Sequence, residues 1–158
     1  AEPQFGAADI HHLDRTTLLQ AFSCTECGRC TAECPANQTG KRLSPRKIIM
    51  DIRDRCEEVV KNSSYQRKEN GEMEIADGKS LFDRISREEI YACTTCNACV
   101  EACPVLINPL QTILEMRRWD ILMQGAGPAS WNSLFNSLEN SQAAWSMSGT
   151  RTDWMQTN

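Results

Sequence analysis

The sequence predicts a mainly helical fold built from an internal duplication. Two observations carry this. The same four-cysteine unit occurs twice, and each copy is followed by a proline-opened segment with helical apolar spacing. The first unit runs Cys24-Thr25-Glu26-Cys27-Gly28-Arg29-Cys30-Thr31-Ala32-Glu33-Cys34-Pro35, and the second Cys93-Thr94-Thr95-Cys96-Asn97-Ala98-Cys99-Val100-Glu101-Ala102-Cys103-Pro104. With 158 residues, 41% hydrophobic but only 6% aromatic, the chain can build a modest core, so something besides apolar burial must help hold it together.

The elements follow in order. Leu13 to Phe22 reads as a helix leading into the first unit. After it, Ser44 is placed to cap a helix with Pro45 in its first position, and Ile48, Ile49, Ile52, Cys56 and Val59 form its apolar stripe. Between Asn62 and Ser80 the composition turns polar. Asn70-Gly71 and Asp77-Gly78 flank the alternating Met73-Glu74-Ile75, which predicts a small hairpin or ordered loop. Ser86 and Glu89 have the spacing of a capping box for a helix reaching Tyr91. Asn108-Pro109 opens the helix after the second unit, with Ile113, Leu114, Ile121 and Leu122 among its apolar positions. These elements make one domain over residues 1–124. From Gly125 the composition shifts to Gly, Ser, Asn and Gln with scattered tryptophans, which reads as an extended C-terminal arm over 125–158 containing one short helix between Trp131 and Asn140. Trp131, Trp145 and Trp154 suit an arm that packs on a partner, or one that covers the domain's own surface.

Composition excludes several classes of function. A net charge of -4 gives no electrostatic reason to expect nucleic acid. The short apolar stretches, Ile48 to Met50 and Ile121 to Met123, fall far below the roughly 20 residues of a membrane span. There is no phosphate-cradling glycine loop and no nucleophile with a base, so no catalytic residue is assigned.

Eight of the nine cysteines are bunched, unlike those of a secreted disulfide scaffold, which spread so that each bridge closes a long loop. Bunched thiols suit a metal, and thiols that bind metal must stay reduced, which places the chain in the cytoplasm or an equivalent compartment. A Cys-x2-Cys-x2-Cys loop wraps three thiolates round one face of a [4Fe-4S] cubane, and the fourth must come from elsewhere. In the bacterial Cys-x2-Cys-x2-Cys-x3-Cys-Pro run of two-cluster ferredoxins the fourth cysteine serves the other cluster. Applied here, Cys24, Cys27, Cys30 and Cys103 hold one cluster, and Cys93, Cys96, Cys99 and Cys34 hold the second. Pro35 and Pro104 each turn the chain away from the crossing cysteine without leaving a spare amide donor. The competing reading is a pair of four-thiolate zinc sites, which explains neither the third regularly spaced cysteine nor the proline. Cys56 falls on a helix stripe and reads as a small buried hydrophobe. His11 and His12 read as surface residues. Arg29, Glu33 and Glu101 stand near the clusters as candidates for tuning potential or docking a partner, or as solvated surface charges.

The two units, with Lys41-Arg42-Leu43-Ser44-Pro45 and Met116-Arg117-Arg118, resemble the alpha-helical ferredoxin module of heterodisulfide-reductase-like iron-sulfur oxidoreductases. Related modules occur in the anaerobic glycerol-3-phosphate dehydrogenase iron-sulfur subunit and in succinate dehydrogenase iron-sulfur proteins. Phe22 to Cys30 and Tyr91 to Cys96 look most like the membrane-associated branch, and the likeness covers about residues 5–123. The resemblance implies a non-catalytic electron-transfer module of a respiratory or redox complex. Its donor would be a flavoprotein, its acceptor a haem b or quinone-reactive membrane subunit, and the module would be peripheral to the membrane through that partner. In that branch such modules precede cysteine-rich CCG domains, and Arg151-Thr152-Asp153-Trp154 resembles the connector to them. A metal-stapled interaction domain, or a fragment of a reductase whose active site lies elsewhere, is the alternative.

Overall fold

A computed structural model describes residues 4–67, 71, 73–145 and 152–155, and divides the chain into two compact units, Ala1–Gln124 and Gly125–Asn158. Asn70 and Arg151 and the Trp154 side chain, on which parts of the sequence reading fell, lie outside the described residues.

Helix α1 spans Arg15–Phe22, starting two residues later than its apolar pattern, because the Asp14 carboxylate accepts the Thr17 amide at 2.7 Å and fixes the start. The short helices α2, Arg29–Ala32, and α3, Pro35–Gln38, follow from the first cysteine unit. The longest helix, α4, spans Pro45–Lys61 with Ser44 as its cap and Pro45 in its first turn. Its buried stripe is the predicted one: Ile48, Ile49, Ile52, Cys56 and Val59. Full burial of each isoleucine contributes at most about 1.5–3 kcal/mol.

Strands β1, Tyr65–Arg67, and β2, Met73–Ile75, form the antiparallel hairpin, with Tyr65 opposite Ile75. Helix α5, Arg87–Ala92, starts at the capping box, where the Ser86 amide donates to Glu89 and the Glu89 amide to Ser86. Helix α6, Ala98–Glu101, belongs to the second unit, and α7, Pro109–Leu122, is capped by Asn108. On α7 the predicted face is only partly right. Ile113 is buried, but Leu114 and Leu122 are exposed, and Thr112, Met116 and Asp120 occupy the inner face with it. Asp120 can sit inside because Arg87 and the Tyr91 hydroxyl donate to it at 2.8 and 2.9 Å.

Like packs on like across the duplication: α2 lies against α6, and α4 against α7. The N-terminal segment straps these together. The Ala7 amide donates to the Glu115 carbonyl on α7, and the Leu81 amide donates to the Ala8 carbonyl. Asp9 on this strap meets Arg55, a fully buried arginine of α4 whose guanidinium is also bonded to Asp77 and to the Lys79 carbonyl. His12 departs from the expected surface residue. It is half-buried, and its Nδ1 accepts the Ala8 and Asp9 amides at 3.2 and 3.4 Å, while burial and then the neighbouring His11 push its pKa down to about 4.

In the compact unit Gly125–Asn158, helix α8 covers Asn132–Ser141 behind a 3-10 turn at Ala129–Trp131. Leu134, Phe135, Leu138 and Trp145 are exposed. No helix among the described residues is long and apolar enough to cross a membrane.

Candidate iron-sulfur centre

Each cysteine loop owes its shape to two left-handed residues flanking its middle cysteine. Glu26 and Gly28 have φ of 58° and 79° around Cys27, and Thr95 and Asn97 have φ of 58° and 63° around Cys96. Glycine adopts this conformation without strain and asparagine with little, whereas at Glu26 and Thr95 it costs on the order of 1–2 kcal/mol each. Nothing lies within 4 Å of the position a Gly28 side chain would take, so the glycine is there for its φ. Alternating left-handed and ordinary residues turn successive amides toward one concave side, the arrangement that receives anions. The consequence at the sulfurs is the same in both copies. The Arg29 amide and, less, the Thr25 side chain lower the Cys27 pKa, and the Ala98 amide and the Thr94 side chain lower that of Cys96.

Two arginines brace these loops. Arg53 of α4 pairs with Glu26 at 2.7 Å, and Arg117 of α7 donates to the Ile90 and Cys93 carbonyls at 2.5–2.9 Å while standing over the Tyr91 ring. Sequence reading had noted Arg117 only as part of the resemblance and missed Arg53. The signal was present, since each stands eight residues after its helix's opening proline.

The four thiols predicted for the first cluster line one space. A small cavity is lined by Cys24, Cys27, Cys30 and Cys103, together with Cys99, Arg46 and the apolar Ile49, Val105 and Ile107. Of the thiols predicted for the second cluster, Cys93 and Cys34 neighbour Cys99, as does Cys30 of the first. Burial, then neighbouring Cys93, Cys34 and Cys30, pushes the Cys99 pKa up to about 11. Burial also raises Cys30, with Cys24 and Cys103 adding to it. Cys27 and Cys96 are exposed at the rims. All nine cysteines are free thiols, and Cys56 is buried on α4 as expected, its pKa pushed up to about 11 mainly by burial. Of the charged candidates, Arg29, Glu33 and Glu101 line an open surface groove with Ala32, Ala98 and Ala102, between α2 and α6.

These residues fit an iron-sulfur cluster better than a single ion. Among the described residues no group of three or more His, Cys, Asp or Glu side chains converges on one point as a tetrahedral zinc needs. The thiols surround a space instead. Crowded thiols resist ionising together, and cations placed among them remove that penalty.

Comparison with known proteins agrees. Residues 20–107 match the family model of the 4Fe-4S dicluster domain. The chain is 30% identical to a probable iron-sulfur-binding oxidoreductase, FadF, of Bacillus subtilis, over 90% of this chain and 24% of the relative. It is 31% identical to the EtfAB:quinone oxidoreductase of Syntrophomonas wolfei, over 96% of this chain and 23% of the relative. It is 30% identical to a subunit of the dihydromethanophenazine:CoB--CoM heterodisulfide reductase of Methanosarcina mazei, over 82% of this chain and 31% of the relative. The chain thus spans about a quarter to a third of the length of these relatives. No solved structure matches it. Two cysteine units on a duplicated helical scaffold, both within the matched residues 20–107, place the chain in the 4Fe-4S dicluster domain family, with two [4Fe-4S] clusters as its cofactors.

Proposed function

We propose that the chain relays single electrons through its two clusters inside a larger redox complex, from a flavoprotein donor toward a haem or quinone acceptor. The observation that carries this is the shared cavity: Cys99 and Cys103 of the second cysteine loop line it with Cys24, Cys27 and Cys30 of the first. In this reading those four thiolates hold one cluster, and Cys93, Cys96, Cys99 and Cys34 hold the other. The crossing sets the two clusters side by side. The clusters supply the one-electron chemistry. The chain's own groups hold and tune them: the Arg29 and Ala98 amides donate toward rim sulfurs, and Arg53 and Arg117 fix the loops.

The flavoprotein donor and haem acceptor follow from the family resemblance, and a quinone acceptor also from the printed name of the Syntrophomonas relative. Peripheral membrane association through a partner subunit belongs to the same proposal. So does the division of labour in which residues 1–124 hold the clusters and residues 125–158 meet a partner. The exposed Leu134, Phe135, Leu138 and Trp145 support that role for residues 125–158. Iron and acid-labile sulfide, measured on anaerobically purified protein, should come to about eight of each per chain. Stepwise reduction should then give two interacting low-temperature EPR signals. Zinc without sulfide would overturn the proposal, as would clusters that do not cycle between oxidation states.

A further inference from the structure

The duplication supplies an internal control. The two halves agree at the left-handed residues, at the opening prolines and at the bracing arginines, so a difference between them at the cavity wall reads directly as a difference between the two sites. One such difference lies immediately after each proline. Arg46 follows Pro45 and lines the cavity of Cys24, Cys27, Cys30 and Cys103. Leu110 follows Pro109 at the matching place, and it is buried.

Arg46 is held along the first loop. Its Nη1 donates to the Glu26 carbonyl at 3.4 Å, and its backbone amide donates to Thr31 Oγ1 at 3.4 Å. Among the described residues lining that cavity it carries the only cationic side chain. Arg29 also bears on the rim sulfur of Cys27, and the remaining charges near the two loops are engaged with other partners. Arg53 is paired with Glu26, Arg117 gives its donors to two carbonyl oxygens of the second loop, and Arg29, Glu33 and Glu101 share the outer groove. Reduction adds negative charge to a cluster. A cation in the wall stabilises that charge, and an apolar buried wall penalises it.

We propose that Arg46 makes the site of Cys24, Cys27, Cys30 and Cys103 the higher-potential site of the pair. An electron entering at either unit then comes to rest there first. This rests on the two-cluster reading with crossed ligands.

The test is an EPR-monitored redox titration of the anaerobically loaded chain, after iron and sulfide have been counted, with C96S used to assign the second site's signal. R46L, which puts at this position the residue type that follows the matching Pro109, should lower the first site's midpoint relative to the second. A shift of about tenfold in the electron's partition between them is expected, about 59 mV for one electron. R46K should retain most of the wild-type gap, and R46Q, neutral but polar, should reproduce the R46L shift if R46L loads poorly. The inference is overturned if the first-site midpoint stays put in both neutral variants, if both sites move together, or if R46K falls as far as R46L. A wild-type chain that assembles no [4Fe-4S] clusters would instead remove the reading beneath it.

Discussion

Arg55→Leu should be among the most damaging single substitutions outside the cysteines. Arg55 is fully buried, and its guanidinium makes paired bonds on two sides. Nε and Nη2 reach Asp9 at 3.0 and 2.7 Å, Nη1 and Nη2 reach Asp77 at 2.6 and 2.8 Å, and Nη2 also meets the Lys79 carbonyl at 3.1 Å. Asp9 is itself only 3% exposed. Leucine fills part of the space but leaves Asp9 a buried carboxylate without its counter-charge, a loss of about 3–5 kcal/mol. Near the midpoint each kcal/mol moves a chain of this size by roughly 2–4 °C, so the melt should fall by roughly 6–20 °C. Far-UV circular dichroism of the loaded protein at one fixed scan rate measures it, because metal-loaded unfolding is a rate-dependent transition. The triple change R55L/D9N/D77N removes the charges together and should recover most of the loss. The reasoning fails if R55L melts within about 2 °C of wild type, or if the triple variant melts as low as the single one.

Gly6→Ala should destabilise the strap, because a Cβ there would lie 2.3 Å from the Glu115 carbonyl oxygen and 2.4 Å from the Trp119 amide nitrogen, both backbone, at φ +75°. A loss of about 1–3 kcal/mol is expected, read as a lower melting midpoint with unchanged iron content. His12 is held neutral in the fold, with a pKa of about 4 against 6.5 unfolded, so its contribution is complete above about pH 6.5 and lost as pH falls toward 4. The slope of stability against pH over that window should flatten in His12→Gln, measured by denaturant melts. Cys103→Ser should disturb the EPR signal that Cys27→Ser disturbs, and Cys34→Ser the one that Cys96→Ser disturbs. If instead Cys103→Ser matches Cys96→Ser, each unit holds its own cluster.

The helices with side-chain caps were legible because their caps are local chemistry. Ser44-Pro45, Ser86 with Glu89, and Asn108-Pro109 each satisfy amides a few residues away, and each helix begins where its signal stands. The face of α7 was less legible, because Arg87 and Tyr91 on another element make Asp120 an inner residue, and no periodicity records a partner from elsewhere in the chain. The same holds for Asp9 and Arg55, which are 46 positions apart and look like ordinary surface charges in sequence. His12 was misread for a related reason, since the amides it accepts are exposed only by the strap's turn. In the cysteine loops the spacing carried the chemistry, but the backbone strain at Glu26 and Thr95 did not show, as neither residue type advertises a left-handed conformation.

Cys103 in the wall beside Cys24, Cys27 and Cys30 also bears on how the protein is made. A nascent chain that has emerged only through α4 carries three of those four thiols and none of the second loop. With crossed ligands, the site of Cys34, Cys93, Cys96 and Cys99 is complete only once residue 99 has left the ribosome, and that of Cys24, Cys27, Cys30 and Cys103 only after residue 103. On that proposed assignment loading of iron and sulfide is a late event, and a chain interrupted before the second cysteine loop has three or four thiols of the first loop and no finished site to hold a cluster.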